Sequence, residues 1–310
     1  MLKERLIKRI LISLGAIFAC FLIYLIPSDK VLDVSNIDIP KIDIKKSSIY
    51  LLDNNGMLGK TDVIVNNIDT ISLANELLDI LIIGGKGESS IPSGFKSLIP
   101  SDVVVNGITY LNGVLTIDFN KLFDNEYEMS IIESIVYTMT EIKDVNGIVI
   151  TIDGYPLKRL PSNIVIPNYL DRNFGINKKY EFTSLDDIKP ITTYYVSKFN
   201  DDTYYVPVTK YVNDNREPIK IIVEDLTSSN TYMTNLMSFI NSNTKLLKTN
   251  IIDDTMELVF NSYILNDTDN ILEEVINTIS LSIKDNYDVS EVIFYVDNDE
   301  IYKSVLKSLE

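Results

Sequence analysis

The sequence predicts an α+β protein built from two tandem copies of one small unit that mixes strands and helices. The first observation is that DVNGIVITIDG (144–154) recurs 144 positions later as DVSEVIFYVDN (288–298), with matching acids and matching apolar positions. The second is that the predicted strands and helices before these stretches also recur, in the same order and at offsets between about 140 and 145. The third is the length of 310 residues, which suffices for two domains of about 100–200 residues each.

Each copy begins with a predicted β-hairpin. In the first copy, residues 49–65 contain two apolar strands around Asn54-Asn55-Gly56, and Asn and Gly accept the positive φ of tight hairpin turns. In the second copy, TYYVSKFNDDTYYVPV (193–208) has the same pattern. A gapless offset of 145 predicts that Tyr50 corresponds to Tyr195.

A helix is predicted after each hairpin. Residues 70–85 carry apolar side chains on one helical face, and Gly84-Gly85 is expected to end the helix. The second helix, EPIKIIVEDL (217–226), has Pro218 near its first turn, where proline is tolerated. The face of the first helix consists of Ile71, Ala74, Leu77, Leu78 and Leu81.

Two strands, a second helix and the closing strand complete each copy. The strand pairs are predicted within 102–120 and 244–261, which end in Phe119-Asn120 and Phe260-Asn261. The helices are predicted over 130–142 and 270–283. Their apolar stripes are Ile131, Ile135, Thr138 and Ile142 in the first copy, and Ile271, Val275, Thr278 and Ile279 in the second.

These patterns predict the organisation of the whole chain. The two domains cover residues 47–160 and 188–303, and helices are expected on one face of a small sheet in each. Residues 161–187 form an ordered connector. Residues 28–46 form a polar stalk, and residues 1–27 form an N-terminal transmembrane anchor.

The anchor is predicted from basic residues that precede an apolar segment. Residues 10–26 carry no charge and follow Lys3, Arg5, Lys8 and Arg9. Seventeen residues at about 1.5 Å each just cross a bilayer. Basic residues ahead of the span place the N-terminus in the cytoplasm and the bulk of the chain outside it.

Cys20 leaves three interpretations of this segment. Ile17-Phe18-Ala19-Cys20 loosely resembles a lipoprotein cleavage site, in which Cys20 would be lipidated, but Phe18 is large and the apolar run continues after the cysteine. A cleaved secretory signal would need a small-x-small site, which is missing here. An uncleaved single-span anchor, with Cys20 inside the membrane helix, is the favoured prediction.

Composition argues against several classes of function. Acids outnumber bases 44 to 28, which disfavours nucleic acid as a partner, although an acidic surface could bind cations or a basic protein. The chain has no histidine and one cysteine, which excludes Ser-His-Asp catalysis, histidine-ligated zinc and cysteine metal clusters. The sequence therefore predicts no catalytic residue, no cofactor and no metal ligand, and it favours a non-enzymatic protein.

Two groups of side chains are candidates for a binding site. The acids Asp253, Asp254, Asp297, Asp299 and Glu300 lack the spacing of a calcium loop and are expected to be solvated turn residues. The pairs Tyr194-Tyr195 and Tyr204-Tyr205 could stack on sugars, but one ring of each pair is expected in the core.

Five segments resemble the GerM family of sporulation and spore-germination proteins. They are IPSGF (91–95), NGVLTIDFN (112–120), IVYTMTEIKDVNGIVITIDG (135–154), LDRNFGIN (170–177) and YYVPVTKYV (204–212). The resemblance covers roughly residues 47–302 and implies tandem GerM domains similar to ring-building modules. The second copy differs from the family pattern at Asn277 and Asn298, where the first copy has Tyr137 and Gly154.

The resemblance also implies a place of action. It implies an extracytoplasmic protein of an endospore-forming bacterium. Together with the predicted anchor, it favours a membrane-anchored assembly scaffold for an envelope complex in the space between the mother-cell and forespore membranes. Protein partners, and self-association through sheet edges, are expected. The alternative is a cell-wall module that binds peptidoglycan of the spore cortex.

Overall fold

The computed structural model describes residues 45–228 and 235–306, with Leu14, Gly15, Ile17, Phe18 and Phe21 near the N-terminus, which are helical. Most of the predicted anchor, almost all of the predicted stalk and Cys20 lie outside the described residues. Among the residues described, no helix is long and apolar enough to cross a membrane. Residues 44–310 form one compact unit that contains both repeats.

The order of elements repeats as predicted, with one additional strand closing each copy, two residues long in the first and seven in the second. The first repeat contains β1 (Lys46–Asp53), β2 (Leu58–Ile64), α1 (Thr70–Leu81), β3 (Phe95–Lys96), β4 (Val105–Leu111), β5 (Val114–Phe119), α2 (Glu128–Met139), β6 (Gly147–Ile152) and β7 (Tyr155–Pro156). The connector contributes β8 (Lys179–Tyr180). The second repeat contains β9 (Lys189–Phe199), β10 (Asp202–Val212), α3 (Pro218–Thr227), β11 (Leu246–Ile252), β12 (Thr255–Phe260), α4 (Glu273–Asn286), β13 (Glu291–Val296) and β14 (Asp299–Val305).

The two hairpins share one central sheet. β1 pairs with β2 and β9 pairs with β10, both antiparallel, and β10 meets β2 where Tyr205 pairs with Lys60. β3 extends the sheet beside β1, and β8 runs parallel to β10. The hairpins of both repeats are therefore joined through backbone hydrogen bonds of one six-stranded sheet.

Each repeat also has a four-stranded sheet of its own, in the orders β4-β5-β6-β7 and β11-β12-β13-β14. The middle pairs, β5 with β6 and β12 with β13, are parallel. One small sheet per copy was therefore the wrong expectation, because the hairpin of each copy belongs to the shared sheet. The predicted burial of the closing strands is confirmed, since Ile148, Ile150, Val292 and Phe294 are all buried.

The helix α2 lies between the central sheet and the sheet of the first repeat. Its side chains contact both sheets, so almost every residue of the helix is buried. On the side of the central sheet, Ser134 Oγ donates to the carbonyl of Tyr50, and Thr138 Oγ1 accepts from the amide of Tyr50. These hydroxyls satisfy backbone groups of β1 that no strand reaches.

Several element boundaries differ from the predicted ones. Helix α1 ends at Leu81, before the predicted glycine stop, because Ile82 is extended and bridges to Ile99. Ile71, predicted on the buried face of this helix, is 41% exposed. Helix α2 ends at Met139, and Ile142 remains buried just beyond it. Helix α4 begins and ends three residues later than predicted.

Candidate functional site

A largely buried cluster of charged side chains and tyrosines lies between the two repeats. We call it the inter-repeat joint and define it as Tyr50, Glu141, Arg172, Tyr194 and Asp285. The tyrosines stand on β1 and β9, the acids follow or end the helices α2 and α4, and Arg172 comes from the connector. The side chains of the two acids are 8% and 1% exposed.

The two halves of the joint have equivalent contacts. Tyr50 donates to Glu141 Oε1 at 2.8 Å, and Tyr194 donates to Asp285 Oδ2 at 2.8 Å. The backbone amides of the same two tyrosines donate to the hydroxyls of Thr138 and Ser282. All three pairs of residues are 144 positions apart, and the tyrosine oxygens lie 2.9 Å from each other.

Tyr50 therefore corresponds to Tyr194, and the predicted match with Tyr195 is wrong. Side chains alternate between the faces of a strand, so an offset changed by one residue moves the ring to the opposite face. Tyr194 joins the hydrophobic core of the first repeat. Conversely, Met57 of the first repeat joins the core of the second.

Arg172 connects the two acids. Its Nη1 donates to Asp285 Oδ1 at 2.5 Å and its Nη2 to Glu141 Oε1 at 2.7 Å. Its Nε donates to Thr140 Oγ1, and the guanidinium lies 4.8 Å from the ring centroid of Tyr137. The planar fork of arginine suits this bridging of two buried carboxylates.

Further cations make the joint a charge network. Lys60 Nζ lies 2.9 Å from Glu141 Oε1, and Lys284 Nζ lies 2.8 Å from Glu141 Oε2. Burial alone would raise the pKa of Glu141, but Lys60, Arg172 and Lys284 hold it well below its ordinary value. Burial, then the nearby carboxylates, raise the pKa of Tyr50 and Tyr194 well above 10, so both hydroxyls remain donors.

The joint contains the residues that the sequence analysis missed. Glu141 and Arg172 were not selected as sites, although each lies in a segment that carries the family resemblance, within 135–154 and 170–177. The segment 91–95 also serves contact between repeats, because the backbone of Gly94 lies against the ring of Phe199 and leaves no room for a Cβ. These segments gave the only signal that the positions matter.

The predicted site residues lie elsewhere. Asp253 and Asp297 occupy tight turns with φ of 53° and 56°, and Asp254 accepts a hydrogen bond from Ser290. In the described part of the chain, no three histidine, cysteine, aspartate or glutamate residues lie where they could jointly hold a metal ion. Of the paired tyrosines, Tyr194, Tyr195 and Tyr204 are buried.

A second polar feature is a cleft of about 510 Å³ on the second repeat. The connector forms one wall with Lys179 and Glu181, and helix α3 forms another with Asp225. Lys210 on β10 and Tyr195 on β9 also line the cleft. Lys210 is 8% exposed, and its Nζ lies 2.7 Å from Asp225 Oδ1 and 3.7 Å from Glu181 Oε2.

Comparisons with known proteins agree with this architecture. Residues 48–158 and 192–302 each match the family Germane, described as sporulation and spore germination. The chain is 30% identical over 272 residues to spore germination protein GerM of Bacillus subtilis (strain 168), covering 82% of this chain and 73% of that protein. The solved tandem GerMN domains of the sporulation protein GerM from Bacillus subtilis align with a TM-score of 0.74 and 28% identity, covering 82% of this chain and 91% of theirs.

Proposed function

The chain belongs to the Germane family of sporulation and spore germination proteins, and from this premise we propose that it acts as a non-enzymatic platform for an envelope complex at the forespore. The inter-repeat joint is the observation that carries the proposal. Its ionisable groups are bonded to one another across the repeats, so they serve to fix two surfaces relative to each other. Two surfaces held at a fixed position relative to each other can dock partner proteins. Ionisable groups that bond one another are not available to act on a substrate.

The outer strands of the sheets are suitable docking edges. β4 and β11 are the first strands of their four-stranded sheets and have a partner strand on one side only. Unpaired backbone groups of such strands can pair with a strand of another protein or of a second copy. This supports protein partners, including self-association, as part of the proposal.

The platform is held at the membrane in this proposal. Residues 10–26 would form the anchor, with both repeats outside the cytoplasm, in the space between the mother-cell and forespore membranes. We expect Cys20→Ala to leave the protein in the membrane fraction. Release of this variant, or its accumulation as an unprocessed form, would instead support a lipoprotein.

A spore-yield assay tests the platform directly. The variant Glu217→Lys/Lys220→Glu reverses charges on one exposed helix face outside the cleft, where both side chains are more than half exposed. We expect it to fold, by circular dichroism, but to lose partner recruitment and spores. The single variants Asp253→Asn and Asp297→Asn should keep spore yield near wild type, because turn acids have no catalytic role in the proposal. If one of these single variants folded normally but produced no spores, the result would support a catalytic role for that acid, and therefore an enzyme.

The alternative, a module that binds peptidoglycan of the spore cortex, has less support. It relied on tyrosine rings for stacking on sugars, and Tyr194, Tyr195 and Tyr204 are buried while Tyr205 accepts a hydrogen bond from Asn277. Sedimentation of the protein with purified spore wall decides between the two. Saturable binding to the wall would favour the alternative, and retention only with protein partners would favour the platform.

A further inference from the structure

The two repeats differ at one buried pair of positions. Across the first hairpin, Ser47 pairs with Val63, and across the second, Ile191 pairs with Lys210. Ser47 and Ile191 each lie three residues before the tyrosine of the joint, so Val63 and Lys210 are equivalent.

The second position of the pair lies on the first helix of each repeat and is also apolar in the first copy and charged in the second. The offset of 145 that aligns the buried positions Leu77 and Leu81 with Ile222 and Leu226 places Asp225 on Ile80. Val63 and Ile80 are 2% and 1% exposed in the first repeat. The second repeat thus has a Lys–Asp ion pair where the first has two apolar side chains.

This replacement is unfavourable for stability. Desolvation of two charges offsets most of their attraction, and apolar residues of similar size often give a more stable fold. Burial raises the pKa of Asp225 despite the ammonium of Lys210, which reflects the same desolvation. A function of the cleft would account for the ion pair.

The cleft is also lined by a tyrosine. Tyr195 is 6% exposed and lines the cleft, and none of the hydrogen bonds among the described residues involves its hydroxyl. Burial, then the charges of Asp225 and Glu181, raise the pKa of Tyr195, so the hydroxyl keeps its proton. A tyrosine hydroxyl is a good donor to a carboxylate, so it can serve an acceptor that enters the cleft.

We propose that this cleft binds a small zwitterionic ligand, an amino acid or the charged end of a short peptide. The ligand carboxylate accepts from Lys210, which has donors beyond the one used by Asp225, and from the Tyr195 hydroxyl. The ligand ammonium meets Glu181, whose side chain is 44% exposed and lies 3.7 Å from Lys210 Nζ. The volume of about 510 Å³ is within the range of small-molecule sites, about 300–1,000 Å³.

A sugar fits the cleft less well. Sugar sites commonly present the face of an aromatic ring, and the aromatic ring among the described lining residues, that of Tyr195, is buried. The proposal does not depend on the platform function, because the cleft lies on the second repeat and shares no lining residue with the joint.

Calorimetric titration of the full-length protein in detergent tests the proposal. The probes are alanine, alanyl-alanine, the disaccharide of N-acetylglucosamine, and N-acetyl-alanyl-alanine amide, which has the same backbone as the dipeptide but no charge. Saturable binding of alanine or alanyl-alanine, and none of the blocked peptide, is expected. The ratio of the first two affinities distinguishes a free amino acid from a peptide end as the source. Equal binding of the blocked peptide, preferential binding of the disaccharide of N-acetylglucosamine, or no saturable binding by either zwitterion overturns the proposal.

Three variants locate the site. Lys210→Val/Asp225→Ile introduces the residues of the first repeat and should abolish binding while the protein stays folded. Tyr195→Phe removes one hydroxyl and should weaken binding about threefold to tenfold without loss of stability. The control Lys303→Val/Glu291→Ile makes similar changes at an ion pair of 2.7 Å outside the cleft and should bind normally. Unchanged affinity in the first variant would refute the assignment.

Discussion

Removal of the arginine that bridges the two repeats should destabilise the whole folded unit. In Arg172→Met the apolar stem is largely kept, but the donors to Asp285, Glu141 and Thr140 are lost. Glu141 retains Lys60 and Lys284. Asp285, with a side chain 1% exposed, loses the cation that lies 2.5 Å from it. The main cost is therefore one buried carboxylate without its counter-charge.

The size of the effect follows from that accounting. Breaking a buried ion pair by removing one partner costs about 3–5 kcal/mol. Unfolding free energies of natural proteins are about 5–15 kcal/mol, so this is a large fraction of the total. The matched control is Lys284→Met. This variant loses a cation whose side chain is 30% exposed, and Glu141 keeps the two cations Lys60 and Arg172. We expect the control to cost about 1 kcal/mol.

Urea unfolding followed by far-ultraviolet circular dichroism provides the measurement. Arg172→Met should lower the midpoint strongly and Lys284→Met only slightly. In the double variant Arg172→Met/Asp285→Leu both charges are gone, so its loss should be smaller than the sum of the two single losses by about 2 kcal/mol or more. Two results would refute the view that the arginine neutralises the buried Asp285. One is a loss of stability below about 1 kcal/mol in Arg172→Met, and the other is a loss in the double variant equal to the sum of the losses in Arg172→Met and Asp285→Leu.

Three further predictions concern stability. Glu141→Gln should be destabilised at pH 7. Because the pKa of Glu141 is lower in the folded protein than its ordinary value of 4.5, the carboxylate stabilises the fold above pH 4.5 and loses this contribution when it is protonated. In unfolding titrations the difference in stability between variant and wild type should therefore shrink as the pH falls below 4.5, and a constant difference would contradict this. Lys210→Val/Asp225→Ile should match or exceed wild type in thermal melting, whereas Lys210→Val alone should melt lower, since it leaves a buried acid unpaired; equal melting of single and double variants would count against it. Gly94→Ala should cost about 2–4 kcal/mol, because φ is +90° and the new Cβ would lie 2.5 Å from the ring of Phe199; retention of the wild-type urea midpoint would show that the contact yields easily.

The repeat and the type of each major element could be predicted from the sequence because they depend on local periodicity. Alternation identified the strands ending at Phe119 and Phe260, and Asn120 and Asn261, predicted as equivalents, indeed make the same contacts. Each side chain accepts from the backbone amide sixteen residues before it. Short strands such as β7 have too few residues to show a period and were missed.

Pairing between distant strands could not be predicted in the same way. Periodicity says which face of a strand is buried but not which strand lies beside it, so the shared sheet was not expected. The equivalence of Tyr50 with Tyr194 failed for a related reason. Tyr194 and Tyr195 are adjacent and both buried, so composition and burial do not distinguish them, and the turn between β9 and β10 is shorter than that between β1 and β2.

The joint and the cleft differ in how much of each the sequence contained. Arg172 is one of three cations in the connector, and nothing in its local pattern predicts that two acids more than 30 residues away on either side meet it. Lys210 and Asp225, by contrast, are charged residues at positions where the first copy has Val63 and Ile80. Comparison of the copies at the offset of each element, 147 for Val63 with Lys210 and 145 for Ile80 with Asp225, would have found them.

The two copies therefore differ in what their equivalent positions do. At the joint they behave alike, since each supplies a tyrosine and an acid, and a single connector arginine serves both acids. At the cleft they differ, since the first copy buries an apolar pair, whereas the second has a charged pair whose side chains are 10% and 15% exposed. Because the first copy keeps this position apolar, the fold itself does not require the charges. The two-residue exchange therefore tests whether Lys210 and Asp225 serve what the second repeat binds, without altering the joint.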